Sequence, residues 1–292
     1  MNGKGLLMKR VGITTDCVCD LPEEYLRARG VDLMYFYIVT DTGRFRDSCE
    51  ITSGNILEYM EEGGGKAETR APDPQDYQAF FEKNLAQCDE LVHIGVSSHV
   101  GQSHHSAKAA LEMMGDMGKR VTLVDSGQLS TGMGHLVMRA VELRDGGSTA
   151  AEIAEAVMAM RKKIITSFIV RSADYLYPHA QISQWGRKLC LLFSLHPVLQ
   201  IKNGRIFLKG FRIGHYDQSV LRYVRGALRH SDQMDSRRLF ITHAGCTVKM
   251  LAQIKAEVER LRRFDEVIVA RASATVSGNC GPGTVSIVLI RK

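Results

Sequence analysis

The stretch 90-ELVHIGVSSHVGQSHHSA-107 decides the fold, because an apolar strand, a turn of small residues and a helix start follow one another directly. The strand covers 90–96, and the helix begins at about Ser103. The first half of the chain repeats this order, with short apolar segments alternating with helical ones. Such alternation predicts a parallel sheet with helices on its faces.

Helix boundaries in this half carry local signals. Pro22 lies in the first turn of one helix and Gly30 ends it, while Asp73 with Asp76, and Thr149 with Glu152, fit helix starts. Ser53 is the predicted cap of the helix that follows it. The predicted segments are strands 11–15, 32–39, 90–96 and 120–126, and helices 21–30, 54–64, 75–85, from about Ser103, from about Gln128, and 150–163.

The second half has a different pattern. Residues 198–211 alternate around Asn203-Gly204, which is a strong hairpin signal. The other predicted segments are strands 167–172, 238–244, 266–272 and 284–290, and helices near 174–177, 216–230 and 247–263. We therefore predict an α/β fold with two domains, a Rossmann-like parallel-sheet domain over 1–164 and an α+β mixed-sheet domain over 165–292.

Composition narrows the function classes. The chain has 292 residues, 45% hydrophobic and 24% charged, as expected for a globular protein. Its seven cysteines form no CxxC pair, and its first ten residues do not resemble a signal peptide, so a cytoplasmic location is predicted. The net charge of +6 resides partly on helical segments 222–232 and 255–264, most simply as solvated faces. Nucleic-acid binding is disfavoured because no aromatic-interleaved basic motif occurs, whereas an acidic protein partner or a transient contact with an anionic membrane stays open.

Three turns of small residues, within 97–107, 123–137 and 277–283, mark the candidate ligand site. They expose backbone N–H groups and hydroxyls at strand ends, and two of them open onto helices. Helix N-termini favour carboxylates and phosphates. The sequence thus predicts a small ligand with an anionic head, held between α/β units.

Catalytic and metal-binding interpretations have less support. Asp16 and Asp20 fit loop ordering and helix capping better than a metal pair. Adjacent His104 and His105 would point about 100° apart on a helix, which disfavours joint chelation. No G-x-S-x-G, G-x-G-x-x-G or Walker-type motif occurs, so we predict no catalytic residue, no metal and no cofactor.

At these same turns the chain resembles the DegV family. Its segments match the family's motifs in order, with Cys17 where the family has serine. The matching segments are 14-TTDCVCDLP-22, 69-TRAP-72, 96-VSSHVGQSHHSA-107, 124-VDSGQLSTGMG-134, 175-YLYPHAQIS-183, 195-LHPVLQIKNGRI-206 and 279-NCGPGT-284.

The resemblance implies an EDD-type N-terminal domain and a fatty-acid-binding protein of phospholipid metabolism, not an enzyme. It implies an acyl chain in an apolar tunnel, a head group at the domain interface, and presentation of the lipid to a fatty acid kinase subunit. The implied ligand-binding residues are Thr69, Arg70, Ser97, Ser98, Gly101, Ser103, Ser126, Gln181 and Asn279.

Three positions depart from the family pattern. Gln181 replaces an arginine, Asn279 replaces a histidine, and Gly101-Gln102-Ser103 replaces Ser-Gly-Thr. Asparagine and glutamine donate hydrogen bonds but bring no charge. Arg70 or Arg171 could supply the missing charge. The alternatives are a neutral or bulkier lipid, loss of acyl binding, or an enzyme or binder of a small anionic metabolite in the same cleft.

Overall fold

A computed structural model describes residues 10–63, 67–176 and 194–292 of the chain. The strands are β1 Val11–Asp16, β2 Val31–Met34, β3 Tyr37–Thr40, β4 Gly43–Arg46, β5 Glu68–Arg70, β6 Glu90–Gly95, β7 Val121–Asp125, β8 Ile164–Ile169, β9 Leu195–Lys202, β10 Arg205–Ile213, β11 Arg238–His243, β12 Glu266–Arg271 and β13 Val285–Ile290. The α-helices are α1 Glu23–Ala28, α2 Ser53–Glu61, α3 Pro74–Leu85, α4 Ser103–Met113, α5 Ser130–Asp145, α6 Ala150–Arg161, α7 Tyr216–Ala227, α8 Val248–Leu261 and α9 Ala274–Cys280.

The N-terminal half is built on a parallel sheet in the order β2-β1-β6-β7. Helices α3 and α4 cover one face, where Tyr77 and Phe81 are fully buried. Helices α5 and α6 cover the other face, where Leu136 and Ile153 are fully buried. Because both faces are covered, the central strands β1 and β6 are buried along nearly their whole length, and the predicted parallel α/β arrangement is confirmed.

The second half forms a mixed sheet in the order β10-β9-β8-β13-β11-β12. Helices α7 and α8 pack on one face around Tyr223 and Ile254. Helix α5 contacts strands β8, β11 and β13 on the opposite side, so it lies between the two sheets. This position explains its small residues, since a Cβ on Gly132 would lie 2.4 Å from Thr166 Oγ1 and one on Gly134 would lie 3.0 Å from the Cys19 carbonyl.

A third, antiparallel sheet has the order β4-β3-β5 and packs against α2 and α9. The sequence predicts none of β4, β5 and α9. It also predicts one strand over 32–39, which is wrong because the chain leaves the parallel sheet after Met34. Buried Phe36 donates its N–H to Cys17 Sγ at 3.3 Å and accepts from Asp47 N–H at 2.8 Å, so that β3 joins the antiparallel sheet instead. No glycine or proline marks this break.

Several local predictions are confirmed. Asn203 and Gly204 have φ of 51° and 76°, as a type I′ turn requires, and they join β9 to β10. The capping boxes at Asp73 and Thr149 are both present. The cap of α2 is Thr52 and not the predicted Ser53, because Thr52 has the extended backbone and accepts the Asn55 N–H.

The predicted boundary near residue 164 falls at the start of β8, and the division into domains 1–164 and 165–292 stays a prediction. Side chains from both halves share one core, since Phe240 and Val288 pack in the same cluster as Leu136. None of the described helices has both the length and the apolar character needed to cross a bilayer.

Candidate functional site

Hydroxyl side chains gather at the carboxyl ends of β6 and β7. Ser97 Oγ donates to the Gly204 carbonyl at 2.7 Å, and Ser98 Oγ donates to Asp125 at 2.7 Å. Ser126 Oγ donates to the Gln128 carbonyl at 3.0 Å. These hydroxyl hydrogens are engaged by the protein itself, so a ligand at these positions would meet oxygen acceptors rather than free donors.

A buried carboxylate organises the neighbouring strand ends. Asp16 accepts from Tyr77 OH at 2.6 Å, from Val96 N–H at 2.8 Å and from Ser103 Oγ at 3.1 Å, and His93 Nε2 lies 3.3 Å away. Burial acts to raise the pKa of Asp16, but His93, Tyr77 and the Val96 amide outweigh it, and the pKa is lowered. Asp16 orders loops, as predicted, and Ser103 belongs to this network.

Asp20 does not cap α1, contrary to the prediction, because Pro22 occupies the cap position and makes no side-chain cap bond. Instead its carboxyl group accepts from Ser130 Oγ at 2.5 Å and from Ser273 N–H at 2.8 Å. Burial raises the pKa of Asp20 to about 7. The residue therefore connects the first residue of α5 with the residue that precedes α9.

Helix α9 brings together two predicted head-group residues from opposite ends of the chain. Asn279 Nδ2 donates to Thr69 Oγ1 at 3.2 Å and to the Thr275 carbonyl at 2.8 Å. Both amide hydrogens of Asn279 thus have partners. Because Thr69 Oγ1 accepts from the amide, its own hydrogen is oriented away and can be donated to a ligand.

A narrow cavity of about 20 Å³ lies between α5, α9 and the mixed sheet, and Cys280, which directly follows Asn279, is among the residues that line it. Val276 and Cys280, one helical turn apart on α9, form part of its wall. The other lining residues are Leu129, Ser130, Thr166, Phe168, Thr242, His243, Ala244, Ala272, Thr284 and Ser286. The wall combines apolar side chains with small hydroxyls that bond within the protein, such as Thr166 to Gln128 and Thr284 to the Cys280 carbonyl.

Two further predicted residues, Arg70 and Gly101, are exposed. Arg70 pairs with Glu68 at 3.2 Å with both side chains largely exposed, and on strand β5 it projects to the face opposite Thr69. Gly101 is exposed in the turn before α4. Gln181 lies outside the described residues. Arg171 lies over the Tyr216 ring at 4.9 Å, next to Gly283.

The prediction that 277–283 is a turn is wrong in part, because α9 extends through Cys280 and only Gly281–Gly283 leave the helix. Sequence reasoning also missed Asp47, which is fully buried and bonds to the start of this helix. No local pattern identifies these bonds, since Ala274 and Thr275 are more than two hundred residues from Asp47. Within the described ranges, no three His, Cys, Asp or Glu side chains are grouped as metal ligands would be.

The fold and the site define an α/β protein in which a parallel and a mixed sheet share one buried helix, with a polar-edged apolar cavity beside it. The chain belongs to the DegV family. The family profile, described as that of an uncharacterised DegV family protein, matches residues 10–292.

Relatives cover almost the whole chain. A DegV domain-containing protein of Deinococcus radiodurans is 24% identical over 96% of this chain and 98% of its own length. A DegV family protein of Thermus thermophilus, whose structure is described under fatty acid binding, is 25% identical, with a TM-score of 0.86 over 97% of this chain and 100% of its own. A DegV family protein of Eubacterium eligens, loaded with heptadecanoic acid, is 18% identical, with a TM-score of 0.83 over the same shares.

Proposed function

We propose that this protein binds a fatty acid, with the head group beside Thr69 and Asn279 and the acyl chain in the apolar cavity. The observation that carries the proposal is the 3.2 Å hydrogen bond between these two side chains, which are 210 residues apart in the sequence. The fatty acid binding described for the Thermus thermophilus protein supports the same ligand class.

The head group requires a donor, and Thr69 supplies one. Asn279 holds the threonine oxygen as an acceptor, which leaves the threonine hydrogen for a carboxylate. A hydrogen bond to a carboxylate is about twice as strong as one between neutral groups. The pair carries no positive charge, so hydrogen bonding provides the selectivity for an acid. The other residues named from the sequence stay predicted members of the site, with Arg70 as the counter-charge. They are Arg70, Ser97, Ser98, Gly101, Ser103, Ser126 and Gln181.

The acyl chain supplies most of the affinity. Burial of an acyl chain contributes about 0.8 kcal/mol per methylene group, reduced by the cost of ordering the chain. Small-molecule pockets usually enclose roughly 300–1,000 Å³. The cavity of about 20 Å³ must therefore widen as the lipid enters, by displacement of the side chains on α5, α9 and the mixed sheet.

We propose further that the bound lipid is presented in the cytoplasm to a partner kinase subunit, which would supply the nucleotide and the metal. Basic side chains on α7 and α8, among them Arg222, Arg225 and Arg260, offer a surface for an acidic partner or for transient contact with an anionic membrane. Part of this charge is neutralised internally, because Glu257 pairs with Arg225 and Arg260 at 2.7 Å each.

Mass spectrometry of organic extracts of the purified protein, followed by displacement of a fluorescent fatty acid, tests the proposal. We expect co-purified acyl acids and saturable displacement. Co-purified neutral lipid alone would favour the alternative of a non-acid ligand. Failure to bind either class would contradict lipid binding and leave the small anionic metabolite as the ligand to test.

Two variants locate the head group. Replacing Thr69 by Val removes the proposed donor at nearly constant volume and should weaken acid binding about tenfold. Replacing Arg70 by Ala tests the counter-charge, since a contact with the head group would give a loss of about 1 kcal/mol or more. Unchanged affinity of Arg70→Ala would remove Arg70 from the site without affecting the role of Thr69.

A further inference from the structure

The first turn of α9 is held by carboxylates from the other half of the chain. Asp47 Oδ1 accepts from Ala274 N–H at 2.8 Å, and its Oδ2 accepts from Thr275 N–H at 2.9 Å. Asp20 accepts from the preceding Ser273 N–H at 2.8 Å. Three successive backbone donors of one short helix thus have carboxylate partners that are remote in sequence. Negative charge at a helix N-terminus is also favourable to the helix dipole.

The two ends of α9 are attached to the same small sheet. Asp47 directly follows β4, and Thr69 lies in β5, with β3 between them. Two strand spacings amount to about 10 Å. The five residue steps of α-helix from Ala274 to Asn279 advance about 7.5 Å. Because α9 also contacts β3 and β5, it crosses the sheet from the end of β4 toward β5, and the Asn279 side chain covers the remaining distance to Thr69.

Asp47 itself has little freedom to move. Its N–H donates to the Phe36 carbonyl at 2.8 Å, and the N–H of the following Ser48 donates to the Ile51 carbonyl at 2.9 Å. Its side chain is fully buried. The middle of α9 is held as well, because Ser277 Oγ lies 2.6 Å from Ser53 Oγ. Asp47 and Ser53 therefore both fix the position of α9, and loss of the Asp47 bonds removes the restraint on its first turn.

We propose that Asp47 is a positioning residue for the lipid head-group site: it fixes the start of α9 so that Asn279, at the other end, meets Thr69 and orients its hydroxyl hydrogen. This inference rests on the proposed function. Asp20 contributes a third bond to the same turn. Asp47 acts through α9 and Asn279 and does not contact the lipid.

If Asp47 were only a helix cap, its removal would lower the free energy of unfolding without changing which head group the protein prefers. If Asp47 is a positioning residue, its removal also changes this preference, because a displaced Asn279 no longer orients the Thr69 hydroxyl toward a carboxylate. The distinguishing measurement is the ratio of affinities for palmitic acid and hexadecanol, which share a tail length and differ in the head. Binding to both is measured for the wild type and for the variants Asp47→Ala, Asp47→Asn and Thr149→Ala.

We expect Asp47→Ala to lower the acid-to-alcohol affinity ratio about tenfold, as loss of one hydrogen bond to a charged group does. Asp47→Asn retains one acceptor oxygen and should show a smaller loss, and it also serves as the readable variant if Asp47→Ala does not fold. Thr149→Ala is the matched control, because it removes the cap of α6, which accepts Glu152 N–H, and leaves α9 intact. Its ratio should equal that of the wild type.

Amide hydrogen exchange of residues 273–280 in the same proteins reports how readily the N–H groups of α9 open, and we expect faster exchange in Asp47→Ala than in Thr149→Ala. An unchanged acid-to-alcohol ratio in both Asp47 variants would overturn the inference while leaving fatty acid binding intact. If the wild type binds neither probe, the proposed function itself fails. The two failures are therefore distinguishable.

Discussion

Ser130 donates its hydroxyl hydrogen to the Asp20 carboxyl group across 2.5 Å, and both residues have left-handed backbones, with φ of 54° and 53°. Non-glycine residues seldom adopt this conformation. The same carboxyl group accepts from Ser273 N–H, so one buried acid holds the starts of α5 and α9, the helices that line the cavity. Burial raises its pKa to about 7.

This raised pKa predicts a pH dependence of stability. The folded pKa of Asp20 is about 7 and its ordinary value is 3.8, so the folded state retains the proton over a range in which the unfolded chain releases it. The contribution of Asp20 is therefore most favourable below about pH 4 and is lost as the pH rises toward about 7. Replacing Asp20 by Asn should remove this loss. Between about pH 4 and about pH 7 the free energy of unfolding of the variant should therefore rise by about 4 kcal/mol relative to that of the wild type.

Urea denaturation at a series of pH values checks the Asp20 prediction. Replacing Ser130 by Ala is a second arm, because the Ser130 hydrogen bond lowers the pKa and its removal should move the pH window upward. A difference between Asp20→Asn and wild type that is the same at every pH would contradict the prediction.

A second pH effect comes from His135, which is fully buried on α5 with its ring 4.6 Å from that of Phe240. Burial, and then the charge of Arg238, lower its pKa from 6.5 to about 3. Below pH 6.5 the unfolded chain binds a proton that the folded protein does not, so stability falls as the pH falls toward 3. At about pH 5 this effect should lower the free energy of unfolding of the wild type by about 2 kcal/mol, and replacing His135 by Leu should abolish that decrease.

Thermal or urea unfolding at about pH 7.5 and about pH 5 measures this contribution by the linkage relation. The informative quantity is the change in the free-energy difference between the variant and the wild type across that interval. If the two proteins lose stability in parallel, His135 does not carry the predicted effect.

Replacing Gly132 by Ala should destabilise the protein, although alanine is the better helix former. Alanine is favoured over glycine in a helix by about 1 kcal/mol. At Gly132 the new Cβ would meet Thr166 Oγ1 at 2.4 Å and Gln128 Oε1 at 2.8 Å, and would break the bond between these two side chains. We expect Gly132→Ala to destabilise the protein by about 1–3 kcal/mol.

The control is Gly54→Ala in α2, where the nearest atom to a new Cβ is Thr52 Oγ1 at an ordinary 3.6 Å. That variant should be as stable as the wild type or more stable by up to about 1 kcal/mol. Differential scanning calorimetry of both variants is sufficient. Equal stability of the two would show that α5 can move away from the mixed sheet without cost.

Asn279→Asp tests the head-group site with the smallest change of shape. An aspartate would accept the Thr69 hydrogen, so the donor for a carboxylate is lost and a negative charge takes its place. We expect palmitic acid binding to weaken about a hundredfold or more, with a much smaller change for hexadecanol. Equal losses for the two ligands, measured by displacement, would indicate that the head group lies elsewhere.

The sequence by itself determined the parallel α/β order, the α5 helix of small residues, the capping boxes at Asp73 and Thr149, and the turn at Asn203-Gly204. These features are local, because each depends on residues within a few positions of one another. Motif order likewise placed Thr69 and Asn279 among the predicted site residues, and the structure brings these two side chains into contact.

Only the tertiary structure decided the split of 32–39 between two sheets, the helical state of 274–280 and the hydrogen bonds between Asp47 and α9. Seven residues with Gly278 and two hydroxyl side chains form a weak helix by propensity. Ser273 caps α9 locally, and remote carboxyl groups satisfy its first N–H groups. The hydrogen bond between Asp47 and Ala274 forms only because β4 and α9 pack together in the folded chain. Periodicity and capping signals extend over one turn or one strand, so they contain no information about partners separated by most of the chain.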